Sequence, residues 1–140
     1  MSSTLNSVLI DGNLTRDPEL RSTPKGTKVC SFGLASNRFY EVNEERVKEV
    51  NFFDVESWAK LGEACANHLE KGRGVRVIGR LKQDRWQNED GQNRSRVKIV
   101  ADHIVFKPTI KRGDEENDGE LEEGVEYSLE GSDAQEPALL

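Results

Sequence analysis

The stretch from Gly74 to Ala101, GVRVIGRLKQDRWQNEDGQNRSRVKIVA, decides the fold. Its first half alternates. Val75, Val77, Gly79 and Leu81 share one face, and Arg76, Ile78, Arg80 and Lys82 share the other, which is the period of a half-buried strand. Asn88-Glu89-Asp90-Gly91 supplies turn chemistry, with a glycine free to adopt positive φ. Ser95–Ala101 answers the first arm, with Val97 and Ile99 inward and Arg94, Arg96 and Lys98 outward. Ile104–Phe106 extends this strand after a break near Asp102. The stretch therefore predicts an antiparallel hairpin with one apolar and one cationic side.

Towards the N-terminus the same period recurs. Val8, Ile10 and Leu14 point one way from a first strand, and Leu9, Asp11 and Asn13 the other. Thr15–Lys28 contains Asp17-Pro18 and Pro24-Lys25-Gly26 and predicts a long connection. Lys28–Tyr40 predicts a second strand, with Cys30, Phe32 and Leu34 on one face. Glu41–Lys48 is charged and aperiodic, the mark of an exposed loop or hairpin tip. Glu49–Ser57 is rich in β-formers and predicts a third strand. One helix follows, capped by Ser57, carrying Leu61, Cys65 and Leu69 at four-residue spacing and ending at Gly72, about four turns in all. The order is all-β with one short helix, placed between the third and fourth of five strands. That is the order of an OB-fold barrel. Residues 1–112 form this domain, and the acidic, apolar-poor stretch 113–140 is expected to be a disordered acidic tail. No internal repeat is apparent.

Composition narrows the function. The longest apolar runs are triplets such as Val8-Leu9-Ile10, too short to cross a bilayer, and no basic n-region or apolar h-region marks a signal peptide. A cytoplasmic protein with no membrane association is expected. Cys30 and Cys65 lie on apolar-periodic positions away from His68 and His103, so they read as buried free thiols, not zinc ligands. The net charge of −6 conceals an asymmetry. Residues 114–136 hold eleven Asp/Glu and no Lys/Arg, which leaves Met1–Arg112 with 20 basic against 15 acidic residues. A mildly basic body suits a polyanion, and the tail repels one.

The aromatic residues sharpen this. Phe32, Phe53 and Phe106 fit core positions. Tyr40 ends a strand beside a charged loop, Phe52 points away from Phe53, Trp58 sits at a strand–helix junction, and Trp86 sits in a charged hairpin arm. Unpaired nucleic acid offers flat bases and a charged backbone. Rings stack on any base, at roughly 1–3 kcal/mol each, and Lys/Arg neutralise phosphates. Lys82, Arg85 and Trp86, with Arg80, Arg94, Arg96 and Lys98 nearby, supply that mixture. The competing reading is a solvated basic face with one exposed tryptophan, and for Trp58 packing on the helix start. No Walker loop, Ser-centred elbow or His/Cys/Asp cluster is present, so no enzyme and no cofactor are expected. Asp11, Asp17, Asp54 and Glu56 offer carboxylates for a metal-dependent nuclease, the competing enzyme reading, but strand-face carboxylates are usually solvated. An RNA-binding or primosome-type OB module is a further alternative, which no residue here discriminates.

Several segments resemble the bacterial and organellar single-stranded DNA-binding protein family. They are Asn6–Arg21 with its Gly12-Asn13-Leu14…Asp17-Pro18-Glu19 turn, Lys60–Glu63 through Leu69–Gly72, Val75–Leu81, and Trp86…Asp90-Gly91. The resemblance covers about residues 5 to 107. It implies base-stacking roles for Tyr40, Phe52, Trp58 and Trp86, and backbone contacts for Lys60, Lys71 and Arg85, with Lys82 added. It also implies a homotetramer wrapped by a long strand in replication, recombination and repair. The family's acidic tip ends in Ile-Pro-Phe and docks on replication and repair proteins. Here the chain ends Glu136-Pro137-Ala138-Leu139-Leu140, which keeps acidic and apolar chemistry but lacks the phenylalanine. Solubility and competition with DNA are the plainer uses of such a tail.

Overall fold

Strand-forming residues at two-residue spacing build most of the molecule. The computed structural model describes residues 2–108 and 125–128. The strands are β1 (Val8–Leu14), β2 (Glu19–Ser22), β3 (Lys28–Val42), β4 (Glu45–Trp58), β5 (Gly74–Gln87), β6 (Asn93–Phe106) and β7 (Val125–Ser128), with helix α1 (Ala59–His68) between β4 and β5. The sheet order is β1-β5-β6-β4-β3-β2, and β1 also pairs with β3 through Asn13↔Ala35 and Leu14↔Leu34. That last pairing closes β1, β3, β4, β6 and β5 into the expected five-stranded OB-fold barrel.

The barrel interior holds Leu14, Cys30, Phe32, Leu34, Val55, Val75, Val77, Ile99, Ile104 and Phe106, and Leu61, Cys65 and Leu69 of α1 close one end. Two glycines allow the strands to approach. A Cβ on Gly79 would lie 2.0 Å from the Val100 carbonyl oxygen, and one on Gly12 would lie 2.5 Å from that of Ala35. Gly79 sits at a bulge: Ile78 pairs with His103 but Gly79 with Ala101, which leaves Asp102 as the extra residue. The break expected near Asp102 is this bulge.

Elsewhere the expectations need correcting. The connection Thr15–Lys28 contains β2, whose four residues are all exposed and show no alternation. It forms because the outer edge of β3 offers unpaired backbone groups to it. The charged segment Glu41–Lys48 forms a hairpin tip, one of its two expected readings, but strand reaches further into it than expected. Val42 pairs with Glu45 around a two-residue turn in which Asn43 and Glu44 have φ of 53° and 65°. Both central residues at positive φ are what a type I′ turn requires, and it prolongs β3 and β4 into an arm beyond the barrel. Phe53, expected in the core, is 39% exposed, because its partner Leu34 is the last buried residue before the arm leaves the barrel. Val97, expected inward, is 56% exposed, past the end of the barrel opposite Gln83.

The helix is also shorter than expected. Trp58 is its N-cap without a side-chain hydrogen bond, and Leu69 its C-cap. Ser57 instead faces inward, and its hydroxyl donates to the Cys30 carbonyl at 3.5 Å. Gly72 lies in the turn beyond the helix, at φ 90°, and its N–H donates to the Leu14 carbonyl at 2.8 Å. Finally, Val125–Ser128, within the stretch expected to be disordered, pairs antiparallel with His103–Phe106. There β6 has β5 on one side only, since its pairing with β4 is at Ile99 and Val100, and an open edge recruits β-forming residues. The remaining tail residues, 113–124 and 129–140, including Glu136, Pro137, Ala138, Leu139 and Leu140, lie outside the described residues.

Candidate nucleic-acid interface

Alternation decides which side chains leave the barrel together. Phe32, Leu34 and Val55 face the core, so Phe52, Asp54, Glu56 and Trp58 of β4 point outward. On β6 the buried Ile99 puts Lys98, Arg96 and Arg94 on the outer side. Their partners on β5 are Lys82, Asp84 and Trp86. Three of the four rings singled out in the sequence, Phe52, Trp58 and Trp86, therefore share the outer surface of β4, β6 and β5, with cations between them. Phe52 is 71% and Trp86 48% exposed.

Trp58 is held where the strand ends. Ala59 at φ 54° turns the chain sharply into α1, and the Trp58 indole N–H donates to Glu56 Oε1 at 2.8 Å. Its ring thus stays beside the strip, half-buried, with its polar edge satisfied. Trp86 lines an open groove of about 530 Å³ with Gln83, Arg85, Gln87, Asn93, Arg94 and Ser95. Arg85 points to the other side of β5 by alternation yet also lines this groove, and its guanidinium donates to Gln83 at 3.0 Å.

The cations of this strip are largely paired already. Lys98 Nζ lies 2.8 Å from Glu56 Oε2 and 2.9 Å from Asp84 Oδ2. Arg96 Nε donates to Asp54 Oδ2 at 3.1 Å, and Arg16 Nη2 is 4.0 Å from Asp54 Oδ1. Arg21 Nη2 is 3.6 Å from Glu56 Oε2. The net result is a mixed surface in which carboxylates separate the guanidinium groups. Glu56 is buried but amply supplied with donors, which offsets its desolvation. Asp54 and Glu56 are therefore partners of cations. Asp17 accepts the Lys71 backbone N–H at 2.8 Å, far along the chain. Asp11 holds Arg76 at 2.7 Å and Lys107 at 2.9 Å. The four carboxylates considered for a metal thus serve separate cations and backbone groups and do not converge on one point.

Lys60 is exposed on α1, and Lys71 is exposed in the turn after it. Lys82 is half-buried on the strip opposite Lys98. Tyr40, 37% exposed, lies elsewhere: it pairs with Val47 and shares the alternation of Phe32 and Leu34, so it is on the opposite side of the β3–β4 arm from Phe52. The ring on the Phe52 side of that arm is Phe39, which the sequence reading passed over. Its signal was present, since Phe39 and Phe52 both fall out of step with the core residues of their strands.

Two further electrostatic features frame the site. Arg76 beside Asp11, aided by Lys107, holds its carboxyl down at about 2 against opposing desolvation, and this trio ties β1, β5 and the end of β6 together. Burial pushes the Cys30 thiol up to about 11 and the Cys65 thiol up to about 12, so both are inert core groups, as expected.

Known proteins match this chain over the barrel. The model of the single-strand binding protein family matches residues 5–107. A single-stranded DNA-binding protein of Treponema pallidum is 41% identical over 109 residues, which cover 78% of this chain and 61% of that protein. Single-stranded DNA-binding protein 2 of Chlorobaculum tepidum is 38% identical over 122 residues, 85% of this chain and 82% of that one. The single-stranded DNA-binding protein of Aquifex aeolicus is 39% identical over 128 residues, 87% and 86% of the two chains. The chain thus spans less than two thirds of the Treponema protein and more than four-fifths of the other two. Among solved structures, the Plasmodium falciparum SSB complex with ssDNA superposes with a TM-score of 0.69 at 23% identity, covering 76% of this chain and 97% of that one, a likeness of fold. With a closed five-stranded barrel, an outward strip of rings and cations, and a family match over most of its length, this chain belongs to the single-strand binding protein family.

Proposed function

We propose that the chain binds and protects single-stranded DNA without sequence preference in replication, recombination and repair, and that it is a binding protein, not an enzyme. The observation that carries this is the outward strip of β4, β6 and β5, where Phe52, Trp58 and Trp86 alternate with Lys82, Arg94, Arg96 and Lys98. Bases stack on the rings, phosphates meet the cations, and no hydrogen-bond pattern selects a base. Binding the unpaired state alone shifts hairpins toward it. The exposed Tyr40, Lys60, Lys71 and Arg85 extend the contact surface beyond the strip.

The body, residues 1–112, carries this activity as a homotetramer. Exposed Leu9, Phe53, Leu81 and Val97, together with the open edge of β1 before Asn13, give apolar surface and backbone groups to further copies. The acidic segment 113–140 repels DNA from the strip and offers Glu136, Pro137, Ala138, Leu139 and Leu140 to replication and repair proteins. The decisive experiment is titration with oligo(dT), alongside a duplex control and light scattering. Salt-sensitive binding of the single strand by a species of four chains is expected. Equal affinity for duplex, or no binding at low salt, overturns the proposal.

A further inference from the structure

The β3–β4 arm projects beyond the barrel and carries two neighbouring rings on opposite sides. The side continuous with Phe52 holds Phe39, because Phe52 pairs with Ala35 and alternation then runs through Asn37 to Phe39. Twist of a two-stranded ribbon turns both sides together, so it does not exchange them. Phe39 is 52% exposed. The Arg46 guanidinium lies over its ring at 4.6 Å from the centroid, and Lys48 is its cross-strand partner. One ring face is thus occupied by a cation, and about half of the residue's surface is open to solvent.

We propose that Phe39, laminated by Arg46, is a further base-stacking position, so that a DNA strand passing over Phe52 continues along the outer side of the arm. This rests on the single-strand reading above. The chemistry favours a nucleic acid over an apolar partner. A ring with a guanidinium on one side stacks a base on the other, and Arg46 with Lys48 supplies charge for the adjoining phosphates. Successive positions on one side of a strand are about 6.6 Å apart, so Phe39 stands about 13 Å beyond the level of Phe52, a continuation of the track and not a repeat of it. Tyr40, with Arg38 over its ring at 5.1 Å, faces the other way and does not belong to this track.

The test compares Phe39→Ala and Phe39→Trp with the unaltered protein in oligo(dT) titrations, using Val42→Ala at the arm tip as the control. Phe39→Ala is expected to weaken binding about fivefold or more, the lower end for one stacked base. Phe39→Trp is expected to keep affinity and to add a DNA-quenched emission. Unchanged affinity in Phe39→Ala, or an inserted tryptophan whose emission ignores DNA, overturns the inference while leaving the strand-binding reading intact. A change of mass by light scattering in Phe39→Ala makes the ring a contact between copies and also overturns it. Failure of the unaltered protein to bind oligo(dT) removes the underlying reading instead.

Discussion

Replacing Asp54 by asparagine is expected to make single-strand binding tighter at low salt and more sensitive to salt. Asp54 neutralises two guanidinium groups, Arg96 through a 3.1 Å hydrogen bond and Arg16 at 4.0 Å. A cation already matched to a carboxylate neutralises a phosphate less fully and displaces fewer of the DNA's condensed counterions, so its contribution to the salt slope is muted. Freeing it restores that contribution, about −0.7 in the slope of log K against log salt for each phosphate neutralised on a single strand. With one or both arginines released, the slope steepens by about 0.7 to 1.4, and a tenfold drop in salt favours the variant by a further factor of roughly 5 to 25. Both ion pairs are solvent-exposed, so the fold loses only about 0–1 kcal/mol and thermal unfolding stays close to that of the parent. The assay is oligo(dT) titration from about 0.02 to 0.2 M salt, a range over which counterion release dominates. Parallel lines for variant and parent, or a shallower slope in Asp54→Asn, refute the view that resident carboxylates temper this surface.

Other outcomes follow from the barrel itself. Asp11 is held at about 2 when folded, below its ordinary range, so its contribution to stability is complete above about pH 4 and is lost as pH falls towards 2. Asp11→Asn is therefore expected to flatten acid unfolding in that window, and an unchanged pH profile contradicts the role given to the Arg76–Asp11–Lys107 trio. Gly79→Ala places a methyl 2.0 Å from a backbone oxygen that cannot swing away, and should destabilise by about 1–3 kcal/mol or more in chemical denaturation. A stable Gly79→Ala protein refutes the bulge geometry. Cys30 and Cys65 should resist a disulfide reagent in the folded protein and both react once it is denatured, whereas rapid labelling when folded disproves their burial.

What the sequence discloses depends on where the information is stored. The β5–β6 hairpin is legible because each strand carries its own alternation and Gly91 announces the turn. Even the bulge is legible: Val97, Ile99 and Ala101 are odd-numbered and Ile104 and Phe106 even, so one residue must be extra. β2 escapes notice because all four of its residues are exposed and only the edge of β3 orders them. The hairpin tip is one of the two readings of Glu41–Lys48, but how far the strands run into it is not legible, because Asn43-Glu44 adopts a glycine-favouring turn without glycine. Phe53 and Val97 have core alternation but lie beyond the barrel's ends, a boundary that pattern alone does not mark.

The site is legible in its composition and less so in its arrangement. Phe52, Trp58 and Trp86 come together through β4–β6 and β6–β5 pairing, and nothing local in the chain encodes which strands are neighbours. The ion pairs of Asp54, Glu56 and Asp84 depend on the same pairings, so a face read as basic from one strand is mixed in three dimensions. Tyr40 and Phe39 differ by one residue and therefore by a whole side of the arm, which a comparison of segments does not weigh.

The proposed stacking of bases on the outward Trp86 of the β5–β6 hairpin is open to direct test. Trp58→Phe leaves Trp86 as the only tryptophan. Adding oligo(dT) to that variant should quench its emission in step with binding, and raising salt should reverse both together. An emission unmoved while the strand binds would place the DNA on some other surface.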